Sequence, residues 1–195
     1  MKKLYVVGNK VSKSLSPTIF NYWFKKYNIK ASYGYLELTE KNFHNKIKDV
    51  LEKKDTLGLN VTIPFKNKIL KHLGKIDAHA KKIGAVNCVT NKKNINGTNT
   101  DWTGYYKTLP NIKKTKNRKV VILGYGGASH AIHYVLKKSG FKDILIFNRS
   151  KKKIKYSKNT EYTKKYSDLE THLEGVFLII NTCLLYTSDA ADDCW

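Results

Sequence analysis

The sequence predicts an α/β fold in two parts, and two observations carry this prediction. In the first half, short apolar segments of strand length alternate with segments of helical periodicity. In the second half, residues 119–150 combine a wholly apolar strand, a glycine-rich turn, a helix and a second apolar strand. A short, polar and charged segment at 110–117 separates the two halves, and this segment or the helix before it is predicted to be the domain junction.

The first half is predicted to alternate strands and helices in chain order. Strands are predicted at 4–7, 31–38 and 57–63, with another after Asn87 and a hairpin turn at 92–94. Helices are predicted at 18–27, after Thr39, at 69–73, after Asp77 and from Asp101. The helix at 18–27 is expected to place Ile19, Phe20, Trp23 and Phe24 on its apolar face. Asp101 opens the last of these helices, and a capping role accounts for it locally.

Polar side chains cluster at the ends of the predicted strands. Ser14 and Ser16 precede the first helix, where two hydroxyls can hold a carboxylate, although N-capping by Ser16 is the more common role. Asn60 and Thr62 point to one face, because strand side chains alternate. Lys66 follows where α/β proteins collect functional groups, whereas a solvated surface charge is the ordinary role of lysine in this chain.

The glycine turn of the second half predicts a phosphate site. Gly124 allows a sharp turn, and Gly126 lets the backbone approach a pyrophosphate with no Cβ between them. Gly127 and Ala128 open the helix, whose N–H groups point at the anion. Ser129 stands at the sixth position of the pattern, where Gly or Ala is usual, and a glycine turn without a dinucleotide is the alternative.

The end of the second apolar strand indicates which dinucleotide binds. Asn148-Arg149-Ser150 stands in place of the Asp or Glu that would accept a hydrogen bond from a ribose 2′-hydroxyl. Arg149, followed by lysines at 151–153, suits a 2′-phosphate instead. The sequence therefore favours NADP(H) over NAD(H).

The last part of the chain changes character. A short helix at 168–173 and another buried strand at 176–180 are predicted beyond the glycine-turn unit. Residues 183–195 contain three Asp and no Lys or Arg, in a chain where lysine is otherwise frequent. We therefore expect this segment to be a non-native tail.

Composition limits the possible partners. The 195 residues carry a net charge of +22, yet only Arg118 and Arg149 are arginine, and the lysines are scattered. The aromatic residues fall mostly in apolar patterns rather than beside basic clusters, so nucleic-acid binding ranks last among the functions considered. A positive field would still gather an anionic substrate and a phosphorylated cofactor.

The N-terminus and the cysteines indicate the compartment. The apolar run after the first three residues ends at Gly8, which is too short for a signal peptide, and no segment is long enough to span a membrane. Cys88, Cys183 and Cys194 show no metal-ligand spacing. These features predict a cytoplasmic protein with no membrane partner and no metal site.

Several short motifs occur in one order, and from about residue 4 to 182 the chain resembles the shikimate dehydrogenase family. Each motif alone is weak, whereas their shared order and spacing are highly specific. The motifs are Ser-Leu-Ser-Pro at 14–17, Asn-Val-Thr-Ile-Pro-Phe-Lys at 60–66, Gly-Ala-Val-Asn at 84–87, Asn-Thr-Asp at 99–101 with Gly104, Gly-Tyr-Gly-Gly-Ala at 124–128, and Asn-Arg-Ser at 148–150.

The resemblance implies a fold and a reaction. It implies an N-terminal α/β substrate-binding domain at 1–109, followed by a truncated Rossmann-type NADP-binding domain at 118–182. Members of the family reduce 3-dehydroshikimate to shikimate with NADPH, in chorismate and aromatic amino acid biosynthesis. A quinate/shikimate dehydrogenase and a catalytically silent ligand-binding chain are the alternatives. A monomer or a homodimer is expected.

The resemblance also implies the roles of individual residues. Lys66 and Asp101 would form the catalytic pair. Substrate would contact Ser14, Ser16, Asn60, Thr62, Lys66, Asn87 and Asp101, with the two serines on its carboxylate. NADP(H) would contact Gly124, Gly126, Gly127, Ala128, Asn148, Arg149 and Ser150. The sequence departs from the family at Lys13, where His is usual, and is expected to end before the family's substrate-contacting C-terminal helix.

Overall fold

The computed structural model describes most of the chain, which divides into two compact units. The described residues are 1–109, 117–154 and 161–183. Unit 1 is Met1–Lys107 and unit 2 is Thr108–Trp195. The predicted junction at 110–117, apart from its last residue, and the predicted tail beyond Cys183 lie outside the described residues.

Unit 1 alternates strands and helices as the sequence predicts. Its strands are β1 (Lys2–Gly8), β2 (Ala31–Glu37), β3 (Thr56–Val61), β4 (Lys75–Ile76), β5 (Cys88–Asn91) and β6 (Ile95–Thr98). Its α-helices are α1 (Ser16–Lys26), α2 (Phe43–Leu51), α3 (Ala78–Ile83) and α4 (Asp101–Thr108). The helix predicted at 69–73 is a 3-10 helix, Lys68–His72. Asp77 caps α3, as predicted, by accepting from the N–H groups of His79 and Ala80.

The strands of unit 1 form one sheet in the order β2-β1-β3-β5-β6-β4. β1 lies between β2 and β3 and pairs in parallel with both of them. β5 and β6 form the predicted hairpin through residues 92–94, and β5 pairs antiparallel with β3. The carboxyl ends of β1 and β3 therefore flank a topological switch point, where open α/β sheets bind ligands.

The main core of unit 1 packs α2 and the loop after β3 against the sheet. α2 buries Phe43, Ile47 and Leu51 at the helical spacing that the sequence predicts. Phe65 is also fully buried, and its ring stacks on Phe43 with the ring centroids 4.2 Å apart. This stack anchors the loop that carries Lys66, the next residue along the chain.

Helix α1 packs less completely than the sequence predicts. None of its residues is buried, and Ile19 and Trp23 remain 43% and 45% exposed. Phe20 and Phe24 are half-buried and pack against a small core that includes Tyr33 of β2. The predicted apolar face therefore exists, but the sheet covers only part of it.

The described part of unit 2 is a three-stranded parallel sheet with one long helix. Its elements are β7 (Lys119–Leu123), α5 (Gly127–Lys138), β8 (Ile144–Phe147) and β9 (Val176–Asn181). The order β8-β7-β9 places a second switch point at the carboxyl end of β7. Val120, Val121 and Ile122 are fully buried, as predicted for a strand covered on both faces. Two 3-10 turns, Tyr166–Asp168 and Glu170–His172, occupy the region of the predicted short helix.

The prediction of a buried strand at 176–180 is wrong, because β9 is an edge strand of the described sheet. Exposure alternates along it, and Phe177 and Ile179 are 38% and 51% exposed. An apolar run by itself does not distinguish a strand covered on both faces from one covered on a single face. The Arg118 guanidinium lies 5.0 Å from the centroid of the Phe177 ring and covers part of the exposed face.

No helix in the described ranges is long and apolar enough to cross a membrane.

A buried histidine makes the stability of unit 2 sensitive to acid. His133 lies inside α5 and is 4% exposed. Burial, with a smaller contribution from Lys137, lowers the pKa of His133 to about 4. An unfolded histidine binds its proton near pH 6.5, so the unfolded state takes up the proton first as the pH falls. The stabilisation is therefore complete above about pH 6.5 and is lost as the pH falls towards 4.

His133→Gln is expected to remove this pH dependence. Denaturant titrations at a series of pH values give the free energy of unfolding of wild type and variant. The free energy of unfolding of the wild type, relative to that of the variant, should fall by up to about 3 kcal/mol between pH 6.5 and pH 4. Parallel pH profiles for the two proteins would contradict the prediction.

Candidate functional site

Three of the residues predicted for the site meet in unit 1 as a hydrogen-bonded cluster. The Nζ of Lys66 donates to Oδ2 of Asp101 over 2.8 Å. The Nδ2 of Asn87 donates to Oδ1 of the same carboxylate over 2.7 Å. The Oδ1 of Asn87 accepts from the backbone N–H of Thr100 over 2.9 Å, which fixes the amide. Each carboxylate oxygen of Asp101 thus has its own donor, and the two donors hold its plane.

The backbone around this cluster is held by bonds between segments distant in sequence. The N–H of Val86 donates to the carbonyl of Lys66 over 2.7 Å, which joins the loop after β3 to the segment before β5. Asn99 is 3% exposed and donates to the carbonyl of Ala85 over 3.0 Å. Its Oδ1 also accepts from the N–H of Asp101 over 3.0 Å. Sequence reasoning assigned Asn99 no role, although an asparagine two residues before a helix is a recognised capping signal.

The alternative interpretation of Asp101 as an N-cap is wrong. Asn99 supplies the oxygen that accepts from the first N–H groups of α4, at Asp101 and Trp102. The carboxylate of Asp101 is therefore free to bind Lys66 and Asn87. The cap comes from one residue and the site carboxylate from another.

The chemistry available to Lys66 follows from its donors and its burial. Its side chain is 15% exposed and that of Asp101 is 32% exposed. An ammonium group has three N–H donors, and Asp101 takes one of them. The others can bind an oxygen atom of a ligand or pass it a proton, and partial removal of water strengthens that interaction.

Ser14 and Ser16 are adjacent, as two hydroxyls that bind one anionic group must be. The Oγ of Ser14 donates to the Oγ of Ser16 over 3.2 Å and accepts from the N–H of Ser16 over 3.3 Å. Ser16 is the first residue of α1, and Leu15 occupies the cap position without a side-chain bond. N-capping by Ser16 is therefore wrong, and both half-buried hydroxyls stand at the positive end of the helix dipole.

Asn60 and Thr62 lie at the carboxyl end of β3. The Oδ1 of Asn60 accepts from the hydroxyl of Tyr33 over 2.7 Å. The N–H of Thr62 donates to the carbonyl of Val7 over 2.8 Å, and the Thr62 methyl group packs on Gly8 so closely that a Cβ there would lie 2.6 Å away. The ends of β1 and β3 are thus in contact. Within the described residues, no hydrogen bond joins Asn60, Thr62 or the serine pair to the Lys66 cluster.

The glycine turn of unit 2 has the geometry that a phosphate site needs. Gly124 has φ +94°, and a Cβ there would lie 2.7 Å from Oγ1 of Thr182. A Cβ on Gly126 would meet no atom of the described residues, so the space beside this backbone is open. Gly127 begins α5 and the exposed Ala128 follows, and no side chain caps the helix. The first N–H groups of α5 are thus available to an anion.

Asn148 joins the end of β8 to the glycine turn. Its Oδ1 accepts from the N–H of Tyr125 over 3.2 Å, and its Nδ2 donates to the carbonyl of Ser150 over 2.9 Å. Arg149 and Ser150 are exposed. No acidic side chain of the described residues pairs with Arg149. The guanidinium is therefore available to an anionic ligand.

The fold and these two groups of residues define an α/β protein of the dinucleotide-binding class, with a lysine–aspartate centre in its first unit. Residues 6–89 match the family described as shikimate dehydrogenase substrate binding domain. The shikimate dehydrogenase (NADP(+)) of Clostridium botulinum is 37% identical over 181 residues, which cover 90% of this chain and 69% of that protein. The chain belongs to the shikimate dehydrogenase family.

Two further similarities concern length and fold. The shikimate dehydrogenase of Thermotoga petrophila is 38% identical over 148 residues, which cover 76% of this chain and 55% of that protein. The chain thus spans about half the length of such curated relatives. The crystal structure of shikimate dehydrogenase 1 from Peptoclostridium difficile matches with a TM-score of 0.80 and 28% identity, over 98% of this chain and 74% of that one. This match confirms the predicted fold class.

Proposed function

We propose that the protein catalyses the NADPH-dependent, reversible reduction of 3-dehydroshikimate to shikimate, in chorismate and aromatic amino acid biosynthesis. The observation that carries this proposal is the Lys66 cluster, in which Asp101 holds the ammonium over 2.8 Å and Asn87 holds the carboxylate over 2.7 Å. Membership of the family supports the same reaction, since its relatives bear the name of this activity. We assign substrate binding to residues 1–109 and cofactor binding to residues 118–182.

Lys66 acts on the reacting oxygen. NADPH, when bound, supplies the hydride that adds to the ketone carbon. This addition leaves negative charge on the ketone oxygen, and an ammonium N–H beside that oxygen lowers the barrier. Lys66 gives the proton that completes the new hydroxyl group, and Asp101 keeps the lysine in place. In the oxidation direction Lys66 takes the hydroxyl proton.

The other polar residues of unit 1 position the substrate. The hydroxyls of Ser14 and Ser16 bind the carboxylate, helped by the N-terminus of α1. Asn60, Thr62 and Asn87 hydrogen-bond the ring hydroxyls. Binding energy from these groups holds the ketone in a reactive orientation, which lowers the entropic part of the barrier.

The residues of unit 2 fit NADP(H). The open space beside Gly126 and the uncapped start of α5 suit a pyrophosphate, held by Gly124, Gly126, Gly127 and Ala128. Asn148 and Ser150 form the adjoining loop, and the exposed Arg149 suits a 2′-phosphate. NADPH is therefore preferred to NADH.

The reaction is tested by mixing the protein with 3-dehydroshikimate and following the absorbance of NADPH. We expect NADPH to be oxidised, and NADH to be a poorer donor. Oxidation of quinate with NADP(+) is the control, because a quinate/shikimate dehydrogenase would turn over quinate and shikimate at comparable rates. Binding of shikimate and NADP(+) without hydride transfer would instead identify a silent ligand-binding chain and overturn the proposed reaction.

Arg149→Ala is expected to weaken selection of NADPH over NADH. A charge-assisted bond to the 2′-phosphate is lost, so the KM for NADPH should rise by about 10- to 100-fold. The KM for NADH should change little, because that cofactor has no 2′-phosphate. Steady-state kinetics with both cofactors measure the ratio, and Lys142→Ala, an exposed lysine before β8, is the control. An equal rise in both KM values would contradict the assignment.

We infer that the protein acts in the cytoplasm as a monomer or homodimer. Cys88 and Cys183 are free thiols, as in proteins of reducing compartments. Sedimentation velocity measures the state of association.

A further inference from the structure

We propose that Tyr33 is a positioning residue that fixes the amide of Asn60 with its NH2 group, rather than its oxygen, facing the substrate. This inference rests on the proposed function, and it names the polarity of one contact within that site. Tyr33 lies on β2 and Asn60 on β3, with β1 between them in the sheet. The Tyr33 side chain therefore reaches across a neighbouring strand to the substrate end of the sheet.

The contact between the two side chains sets the orientation of the amide. The hydroxyl of Tyr33 donates to Oδ1 of Asn60 over 2.7 Å, while Asn60 itself is half-buried. Within the described residues, the Nδ2 of Asn60 has no hydrogen-bond partner. An amide has one acceptor oxygen and two N–H donors. With its oxygen engaged, Asn60 offers donors alone, and these match the lone pairs of a ring hydroxyl or a ketone.

Tyr33 is itself held in place by α1. The Nδ2 of Asn21 donates to the carbonyl of Tyr33 over 2.8 Å, and the N–H of Tyr33 donates to Oδ1 of Asn21 over 2.9 Å. The ring of Phe20 stacks on the Tyr33 ring, with centroids 4.6 Å apart and planes 7° apart. This pair of bonds satisfies the edge of β2 and fixes the phenol. The same helix begins with Ser16, so one element positions both the serine pair and Tyr33.

The chemistry of the buried phenol supports a donor role. Tyr33 is 3% exposed, and burial, followed by a smaller effect of Cys88, raises its pKa. The hydroxyl therefore keeps its proton throughout the physiological range and remains a donor to Asn60. A buried phenol also needs a partner for this proton, and Oδ1 of Asn60 provides it.

The test is a double-mutant cycle on shikimate binding. Tyr33→Phe removes one oxygen and frees Asn60 to rotate, so we expect the Kd for shikimate and the KM for 3-dehydroshikimate to rise about tenfold. The Kd for NADP(+) should not change, and kcat should fall by much less than KM rises. In an Asn60→Ala background, Tyr33→Phe should have no further effect, because its partner is gone. Tyr35→Phe on the same strand is the matched control, since Tyr35 is 54% exposed.

A second variant tests the polarity without altering Tyr33. Asn60→Asp keeps an acceptor for the tyrosine hydroxyl and removes the donors, so it should weaken shikimate binding at least as much as Asn60→Ala. Retained affinity in Asn60→Asp overturns the inference. So does wild-type affinity in Tyr33→Phe, or an undiminished effect of Tyr33→Phe in the Asn60→Ala background, which would show a role in stability alone.

The outcomes separate this inference from the proposed function. A wild-type protein that binds shikimate but transfers no hydride contradicts the proposed reaction, while the binding cycle still decides the role of Tyr33. A wild-type protein that turns over, with Tyr33→Phe indistinguishable from it, overturns the role of Tyr33 alone. A wild-type protein that does not bind shikimate overturns both.

Discussion

Lys66→Ala is expected to reduce the turnover of 3-dehydroshikimate by about 100-fold or more while the protein remains folded. In the proposed reaction the ammonium is the cationic donor to the ketone oxygen, and alanine leaves the developing negative charge without a donor. Folding should persist because Phe65, not Lys66, anchors the loop in the core. The measurement is NADPH oxidation at saturating substrate, with circular dichroism and thermal unfolding as checks on the fold.

Lys68→Ala is the matched control for this variant. Lys68 lies two positions along the chain and forms a surface ion pair with the exposed Glu40 over 2.9 Å. Its removal deletes the same charge from the same region, so it reports any general effect of charge on the anionic substrate. We expect turnover within about twofold of wild type, because ion pairs at the protein surface contribute little. Near-normal turnover in Lys66→Ala would falsify the catalytic role.

The fold was largely predictable because local patterns determine most of it. The alternation in β3, the periodicity of α2 and the glycine turn before α5 each have a short-range cause in backbone geometry or burial. Packing between distant elements was less accessible. The sequence of β9 is as apolar as that of β7, and the different exposure of the two strands arises from their positions at the edge and the centre of the sheet.

The Lys66 cluster was predictable only as a set of motifs. No local signal shows that Lys66 and Asn87 both bind the carboxylate of Asp101, because these residues lie 35 and 14 positions from Asp101 in the sequence. The supporting residues were harder still. Tyr33 resembles any buried strand tyrosine in sequence, and its bond to Asn60 crosses an intervening strand. The sequence pattern predicted caps at Asp101 and Ser16, whereas the oxygens that accept from the first N–H groups of α4 and α1 belong to Asn99 and Ser14.

Asp101→Asn is expected to lower turnover about 100-fold as well, for a reason that depends on acceptor count. The carboxylate accepts from Lys66 with one oxygen and from Asn87 with the other. An amide has a single acceptor oxygen, so the substituted side chain must turn its NH2 group towards one of these donors. Either the ammonium or the Asn87 amide then faces another donor and leaves its position.

The fold should survive this substitution because the start of α4 does not depend on the carboxylate. Asn99 accepts from the N–H groups at the helix start, and this cap is unchanged. Thermal unfolding of Asp101→Asn should therefore resemble that of wild type. Asp49→Asn, an exposed aspartate on α2, serves as the control for loss of one negative charge.

The combination of the two variants decides whether the pair acts as one unit. If Asp101 works only by holding Lys66, then adding Asp101→Asn to Lys66→Ala removes nothing more, and the double variant turns over as slowly as Lys66→Ala. If Asp101 also contacts substrate directly, the double variant should bind shikimate more weakly than Lys66→Ala does. Shikimate affinity measured beside turnover in all three variants separates these roles, because positioning of the lysine affects kcat while a direct contact affects binding.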